Sequence, residues 1–273
     1  MRSLRDRFGV SERRACRLTS QHRSSQRYQR RLVPDELLLR ERLQLLARRH
    51  PRYGYRRIHA ILCREGWACN RKRVQRLWRD EGLRLPAKTK RRRRGQRMPG
   101  HLAADRPDQV WAIDFVSDQT ADGRPLKILT VTDEHTREAL ATPAARRMGA
   151  DETVNTLEQI VERRGRAPAL IRCDNGPEFI SQALRDWCRF NDTKTGYIEP
   201  GAPWQNPFVE SFNGHLRREL LEMESFNSLF EAQLLLDDWR LEYNHYRPHQ
   251  SLDYMTPAEY HRRYKTKTQP ELS

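Results

Sequence analysis

Asp114 interrupts a nearly continuous apolar run over residues 110–116, and an uncompensated carboxylate in such a strand costs on the order of several kcal/mol. Asp174 closes a second short apolar run, residues 169–173, and opens an Asp-Asn-Gly turn, at the kind of strand end where α/β sheets gather ligands. Glu210 falls one turn into a helix that starts with Asn206 as N-cap and Pro207 at its first position. Val209, Phe212, Leu216 and Leu220 form the core stripe of that helix, and Glu210 is about 100° from it, at the rim. Taken singly, Asp174 reads as a common turn residue and Glu210 as an exposed helix acid, whereas Asp114 has no such ordinary reading. Together, three carboxylates from two strand ends and one helix can converge. Like charges held close raise one another's pKa unless a cation stands between them, which argues for a divalent metal. Two Mg²⁺ ions about 3.5–4 Å apart would suit an in-line displacement at phosphorus by water or a DNA 3′-OH.

The elements that must position these acids follow from pattern. After the strand at 110–116, Asp122-Gly123 is a hairpin signal leading to a strand at 126–133, and residues 137–142 suit a third. Residues 150–164 read as an amphipathic helix with Val154, Leu157 and Val161 on one face. A strand at 169–173, a helix at 178–190, a strand at 194–198 and a helix at 207–223 follow. This order predicts an α/β fold of the ribonuclease H-like type, a mixed five-stranded sheet with flanking helices over residues 106–224. Residues 225–273 are expected to form a helical extension with capping boxes at Ser228/Glu231 and Thr256/Glu259.

Upstream the character differs. Residues 1–105 hold 31 Lys and Arg against 9 Asp and Glu, a net of +22, while residues 106–273 carry 21 against 27, a net of −6. That segregation points to a polyanion-binding region joined to a different activity. Residues 1–50 read as a basic helical region, with Leu39, Leu43 and Leu46 at helical spacing. In residues 51–85, Ile58, Ile61 and Leu62 form one helical face, Gly66 breaks it, Asn70 can cap, and Val74, Leu77 and Trp78 form a second face. This is an all-α helix-turn-helix pattern. Its second helix offers Arg71, Lys72, Arg73, Arg76 and Arg79 to DNA. Residues 86–105 read as a basic linker whose Arg91, Arg92, Arg93 and Arg94 can follow a phosphate backbone. Cys16, Cys63, Cys69, Cys173 and Cys188 show no Cys-x-x-Cys or Cys/His spacing that would hold zinc, and are expected to be reduced and mostly buried. No run approaches the roughly 18 apolar residues of a membrane span, so a soluble, intracellular protein is expected.

Thirty-five residues separate Asp174 from Glu210. With that spacing, the segments WAIDFVSDQTADGRPLKILTVTDEHTRE, IRCDNGPEF and APWQNPFVESFNGHLRREL resemble the insertion-sequence-3 family of transposases, specifically the product of the downstream reading frame. They resemble retroviral integrases more distantly. The upstream RYGYRRIHAILCREGWACNRKRVQRLWRDEGL is similar to that family's helix-turn-helix, and YNHYRPHQSLDYMTPAEY extends the likeness downstream.

The resemblance implies an integrase-type catalytic core in which Asp114, Asp174 and Glu210 are the catalytic, metal-binding acids of a D,D(35)E enzyme. It implies Mg²⁺ as cofactor, with Mn²⁺ able to substitute and no zinc. By position, Asn175, Gly176 and Glu178 would shape the loop beside the second acid, and Asn206, Asn213 and Arg217 would line the site near DNA. Asp118, Asp133 and Glu219 are assigned solvated or structural roles. The implied partners are the element's terminal repeats and target DNA, a second copy of the chain on DNA, and the upstream-frame product of the same element; no membrane is involved. A bacterial cytoplasmic, nucleoid-associated location follows. Pro207 stands where relatives often carry Gly or Ala, and a proline suits a first helical turn. A ribonuclease H-type nuclease without strand transfer would not need the basic N-terminal half, and an inactive DNA-binding regulator would not need all three acids.

The charge segregation sets a first test. Neutralising Arg91, Arg92, Arg93 and Arg94 should weaken binding to all duplex sequences alike and flatten the fall of affinity with salt, measured by titration at several salt concentrations. Substituting Arg73 or Arg76 should instead change sequence preference. Salt-independent binding by the parent chain would contradict the reading.

Overall fold

The register of one strand pair explains how the first two acids come together. In the computed structural model, which describes residues 7–27, 35–86, 104–198 and 206–268, strand β1 (Val110–Gln119) runs parallel to β5 (Leu170–Cys173), pairing Val110 with Leu170 and Ala112 with Arg172. Two residues beyond that last pair, on the same side of each pleated strand, lie Asp114 and Asp174. β1 pairs antiparallel with β2 (Pro125–Asp133), opposing Asp114 to Thr130, whose hydroxyl donates to the Asp114 carbonyl at 3.1 Å. The sheet order is β3-β2-β1-β5-β6, with β3 at Ala139–Ala141 and β6 at Lys194–Tyr197, and β5 and β6 are parallel. A two-residue β4 (Ala144–Ala145) also pairs with β2. The third expected strand, 137–142, is thus shortened to Ala139–Ala141, and β4 is a sixth strand beyond the five expected, set off by Pro143, which has no N–H to donate but whose carbonyl accepts from Leu129 N at 3.0 Å. The mixed sheet of the ribonuclease H-like type is present.

Alternation along the strands sorts the core into two faces. Trp111, Ile113, Leu129, Val131, Ile171 and Cys173 face α6 (Ala150–Arg164) and α7 (Gln182–Phe190). Val116, Leu126 and Ile128 face the other way, onto Leu216 of α8 (Pro207–Leu216), Leu220 and Leu221 of a π-helical turn (Arg217–Leu221), and Leu236 of α9 (Leu229–His245). Asp114 shares the parity of Val116 and so points to α8. The buried stripe of α6 is Thr153, Thr156, Leu157 and Ile160, with Val154 and Val161 only partly buried at its margin. The face expected from Val154, Leu157 and Val161 is therefore rotated, because two threonines back-bond to carbonyls of Gly149 and Glu152 at 2.7 and 2.8 Å and can be buried without loss. α7 begins at Gln182 rather than 178, since Ser181 caps it by accepting from Leu184 N at 3.3 Å.

Two compact units are present, Met1–Arg48 and Arg49–Ser273. The first contains α1 (Glu12–Leu18), α2 (Arg23–Arg27) and most of α3 (Glu36–Arg49), in which Leu39, Leu43 and Leu46 are buried. In the second, α4 (Tyr55–Arg64) and α5 (Arg71–Asp80) form the helical hairpin, in which Ile58, Ile61, Leu62, Val74, Leu77 and Trp78 are buried. Gly66 turns the chain at φ +85°, and Asn70 caps α5 by accepting from Lys72 N at 2.8 Å. The expected boundaries at 85/86, 105/106 and 224/225 all fall inside this second unit. The hairpin is pinned to the C-terminal helices: Arg64 donates to the carbonyls of Tyr246 and Tyr254 at 3.0 and 2.7 Å and to Glu259 at 2.9 Å, at the start of α10 (Pro257–Thr268). The expected capping box at Thr256/Glu259 forms, whereas at Ser228/Glu231 only the cap does, because the Glu231 carboxylate accepts from Asn227 N at 2.6 Å instead of from Ser228 N. Glu259 N donates to Thr256 Oγ1 at 3.2 Å and Thr256 N to Glu259 Oε2 at 2.7 Å, while Glu231 N donates to Ser228 Oγ at 3.1 Å.

Glu219 joins these parts. It accepts two hydrogen bonds of 2.8 Å from Arg247, whose side chain is 1% exposed, and lies 3.6 Å from Arg57 of the hairpin. Burial alone would raise its pKa, but the bonds from His215 and Arg247 hold it well below the usual carboxylate range. Its role is structural, yet it is not interchangeable with an amide, as a merely solvated acid would be. Glu219→Gln should lower unfolding stability by about 3–5 kcal/mol, because it leaves buried guanidinium charge uncompensated. The deficit should be present above the ordinary glutamate pKa of about 4.3 and shrink as pH falls through the depressed folded value. Denaturant titrations of parent and variant at neutral and acidic pH measure both; equal stability at neutral pH would contradict the assignment.

Candidate active site

Asp114 is half-buried near the point where β1 and β5 part. Its Oδ1 accepts from Phe115 N at 2.8 Å and its Oδ2 from Asn213 Nδ2, also at 2.8 Å. Asn213 sits on α8 one turn after Glu210, so the two share a helix face, and the bond to Asn213 draws that face onto Asp114. Asp174 is exposed at the end of β5; its Oδ1 accepts from Gly176 N at 2.9 Å, an Asx turn that fixes the carboxylate. Glu210 is exposed on the first turn of α8. Asp114 feels the charges of both Asp174 and Glu210, which puts the three sequence-derived acids in one neighbourhood without closing them into a ligand cluster within 4.8 Å. Burial, and after it the charges of Asp174 and Glu210, push the Asp114 pKa up to about 6, against the opposing bonds from Phe115 and Asn213. The Glu210 pKa is raised by burial.

None of the three acids is ion-paired with a Lys or Arg among the described residues; the donors to Asp114 and Asp174 are amide N–H groups. The Oδ1 of Asn213 is buried without a partner beside them. A set of carboxylate oxygens lacking a countercharge fits a hard divalent cation of the Mg²⁺ class, which takes oxygen ligands.

The loop after Asp174 is held from the opposite face of the sheet. Asn175 Nδ2 donates to the Ile198 carbonyl at 2.7 Å. Gly176 admits the close approach of its neighbours, since a Cβ there would lie 3.0 Å from Asp174 Oδ1 and 3.3 Å from Glu178 Oε2. Glu178 pairs with Lys127 of β2, whose Nζ also lies 4.1 Å from the centre of the Phe115 ring. Sequence reasoning missed Lys127. The available signal was the one that marked Asp114, a charge inside an apolar strand, and the pairing spends this cation on Glu178 rather than on the three acids.

Other expected contacts are differently placed. Asn206 occupies the N-cap position of α8, but its side chain makes no cap hydrogen bond and is buried, so it neither caps the helix nor offers a surface for DNA. Asn213 positions Asp114 instead of presenting its amide to solvent. Arg217 is exposed on the π-helical turn, where Glu222 N reaches back to the Arg217 carbonyl at 2.8 Å. On α5, Arg71, Lys72 and Arg79 are exposed, while Arg73 and Arg76 are half-buried and Arg76 lies 3.8 Å from Asp80. Arg91, Arg92, Arg93 and Arg94 lie outside the described residues. Asp133 is buried and accepts from Asp108 N, Thr136 N and Thr136 Oγ1 at 2.6–2.8 Å, a structural role. Asp118 accepts from Gln119 N at 2.9 Å. No helix among the described residues is long and apolar enough to cross a membrane.

Comparison with known proteins places this geometry. Residues 104–203 and 191–257 match two models described as integrase core domain, and residues 34–93 match an HTH-like domain. A 31.7 kDa protein of insertion element IS407 from Burkholderia multivorans is 38% identical over 95% of this chain and 94% of its own length. A 39.2 kDa protein of insertion element IS476 from Xanthomonas euvesicatoria is 38% identical over 97% of this chain and 77% of its own. The putative transposase InsK of element IS150 from Escherichia coli is 28% identical over 77% of each chain. Among solved structures, a simian T-cell lymphotropic virus intasome chain shares the fold, with a TM-score of 0.51 and 17% identity over 76% of this chain and 69% of that one. The chain belongs to the insertion-sequence-3 family of DNA transposases, of the downstream-frame type with an integrase catalytic core.

Proposed function

We propose that Asp114, Asp174 and Glu210 hold Mg²⁺ and carry the cleavage and strand-transfer steps by which this transposase moves its element. The observation that carries the proposal is the half-buried Asp114 carboxylate, hydrogen-bonded by N–H groups, with two further carboxylates close enough to raise its pKa. When bound, such cations act as Lewis acids on the attacking and leaving oxygens of an in-line displacement at phosphorus. Asp114 and Asp174 would supply ligand oxygens from the sheet and Glu210 from the helix. Asn213 holds Asp114 in its ionised, ligand-ready form and sets the distance of α8 from the sheet. An all-oxygen donor set favours Mg²⁺, allows Mn²⁺ and disfavours zinc at this position.

DNA is engaged by the exposed Arg71, Lys72 and Arg79 of α5, by Arg217 beside the acids, and by Arg91, Arg92, Arg93 and Arg94. The partners are the element's terminal repeats and the target duplex. A second copy of the chain holds the other element end, and the upstream-frame product assists recognition of the repeats. The chain works at the bacterial nucleoid. A nuclease without strand transfer would cut labelled element ends but never join them to a target, and an inactive regulator would do neither.

Asp114→Asn, Asp174→Asn or Glu210→Gln keeps side-chain shape but removes a charged ligand oxygen. Cleavage and joining of labelled ends should fall by several orders of magnitude while DNA binding survives. Mg²⁺ or Mn²⁺ should support the reaction and Ca²⁺ should support binding with little chemistry. Parent-like joining by Glu210→Gln would remove Glu210 from the set.

The raised Asp114 pKa gives the site a pH dependence of definite sign. The proton and the cation compete for the same carboxylate, so Mg²⁺ affinity should be full above pH about 6 and decline as pH falls through that value. Asn213→Ala removes a bond that favours the ionised form and should move the midpoint to higher pH. Calorimetric Mg²⁺ titrations across this range read both effects, and a midpoint unmoved in Asn213→Ala would refute the positioning role of Asn213.

A further inference from the structure

The helix-turn-helix carries a cluster that the transposition chemistry does not use. His59 and Cys63 are four residues apart on α4 and so share one face. After Arg64 the chain turns through Gly66, and Trp67 N donates to the Leu62 carbonyl at 3.0 Å. This brings Cys69, the residue before the Asn70 cap of α5, back against His59. Ligand atoms of His59, Cys63 and Cys69 all lie within 4.8 Å of one another. Cys63 Sγ is 3.6 Å from His59 Nε2 and 4.0 Å from Nδ1. The contrast with the other cysteines is clear: Cys173 and Cys188 are buried, and burial pushes their thiols up to about 12 and 11, whereas Cys63 is exposed and Cys69 half-buried.

His59 Nε2 lies 3.0 Å from the Cys69 carbonyl oxygen. A carbonyl only accepts, so Nε2 carries the proton and Nδ1 keeps its lone pair. A backbone carbonyl that fixes the histidine tautomer in this way is the usual support of a metal-ligating imidazole. Zinc at about 2.3 Å from sulfur and about 2.0–2.1 Å from nitrogen places donors about 3.5–3.8 Å apart in a tetrahedron, a modest contraction both from the 4.0 Å between Cys63 Sγ and the free Nδ1 of His59 and from the 4.8 Å outer limit of the cluster.

We propose that His59, Cys63 and Cys69 form a binding site for a zinc-class divalent cation, with the fourth coordination position open to solvent. The expectation of no zinc, drawn from linear cysteine spacing, is thereby revised for the hairpin: two ligands are set by helix periodicity and the third by a turn, a combination that no Cys-x-x-Cys motif encodes. The cation would tie the face of α4 to the residue preceding the cap of α5. It would thus fix the angle at which α5 displays Arg71, Lys72 and Arg79.

The test uses the reduced, metal-stripped full chain titrated with Co²⁺ in excess Mg²⁺, which occupies oxygen-donor sites. One equivalent of Co²⁺ should produce thiolate-to-cobalt charge-transfer absorption and the intense d–d bands of a four-coordinate site, both bleached by one equivalent of Zn²⁺. Zn²⁺ should also raise the thermal unfolding midpoint. The absorption should be lost in Cys63→Ser and Cys69→Ser and retained in Asp114→Asn. No charge-transfer absorption in the parent chain, or absorption undiminished in both serine variants, overturns the proposal. Cys63 is exposed, so its serine variant tests the site without burdening the fold.

Discussion

The carboxyl of Asp114 faces a helix from the middle of a buried strand, and among the described residues it has amide donors but no protein cation to hold its charge. Phe115 N and Asn213 Nδ2 donate to it, while burial and the neighbouring Asp174 and Glu210 oppose ionisation and push its pKa up to about 6. The nearby lysine, Lys127, lies on the other face of the sheet and is engaged by Glu178. What remains is a set of neighbouring carboxylates without a protein countercharge, the situation that the proposed divalent cation would relieve.

The scaffold that maintains this deficit reaches well beyond the core. α8 presents Glu210 and Asn213 only while its far end is held, and there Leu216, Leu220 and Glu219 tie it to the sheet, to α9 and to Arg247. Arg57, on the DNA-binding hairpin, approaches the same Glu219, and Arg64 grips the carbonyls that follow α9. Hairpin, α8 and C-terminal extension therefore share one buried electrostatic centre at Glu219. Within this unit, a disturbance at Glu219 is felt both by the helix carrying the third acid and by the hairpin that displays Arg71, Lys72 and Arg79.

Features written in local chemistry were readable from sequence. Asp114 stood out because its charge broke an apolar run, and Asp174 because a turn followed a buried strand. Asn70, Ser228 and Thr256 announced helix starts through short-range capping. The succession of strands and helices along the chain, and both hairpin helices, followed from periodicity and turn signals, whereas the order of the strands in the sheet did not. Contacts between residues distant in sequence were not legible: Lys127 with Glu178, Arg247 with Glu219, and Asn213 with Asp114 each depend on how elements pack, which no local pattern encodes. The rotated face of α6 escaped because threonine can be buried once its hydroxyl back-bonds to the helix, so polarity misreported burial. Asn206 misled for the converse reason, an N-cap residue type at an N-cap position whose side chain is buried and makes no cap.

Locating the cation directly gives the sharpest test. Crystals of the chain bound to DNA, grown with Mn²⁺ and measured for anomalous scattering, would place the metal independently of any activity. The expected result is anomalous density in contact with the carboxylates of Asp114 and Asp174, with Glu210 as a further ligand. Density confined to other acids such as Asp118 or Asp133, leaving Asp114 bonded to Phe115 and Asn213 alone, would contradict the view that the three acids exist to hold a metal.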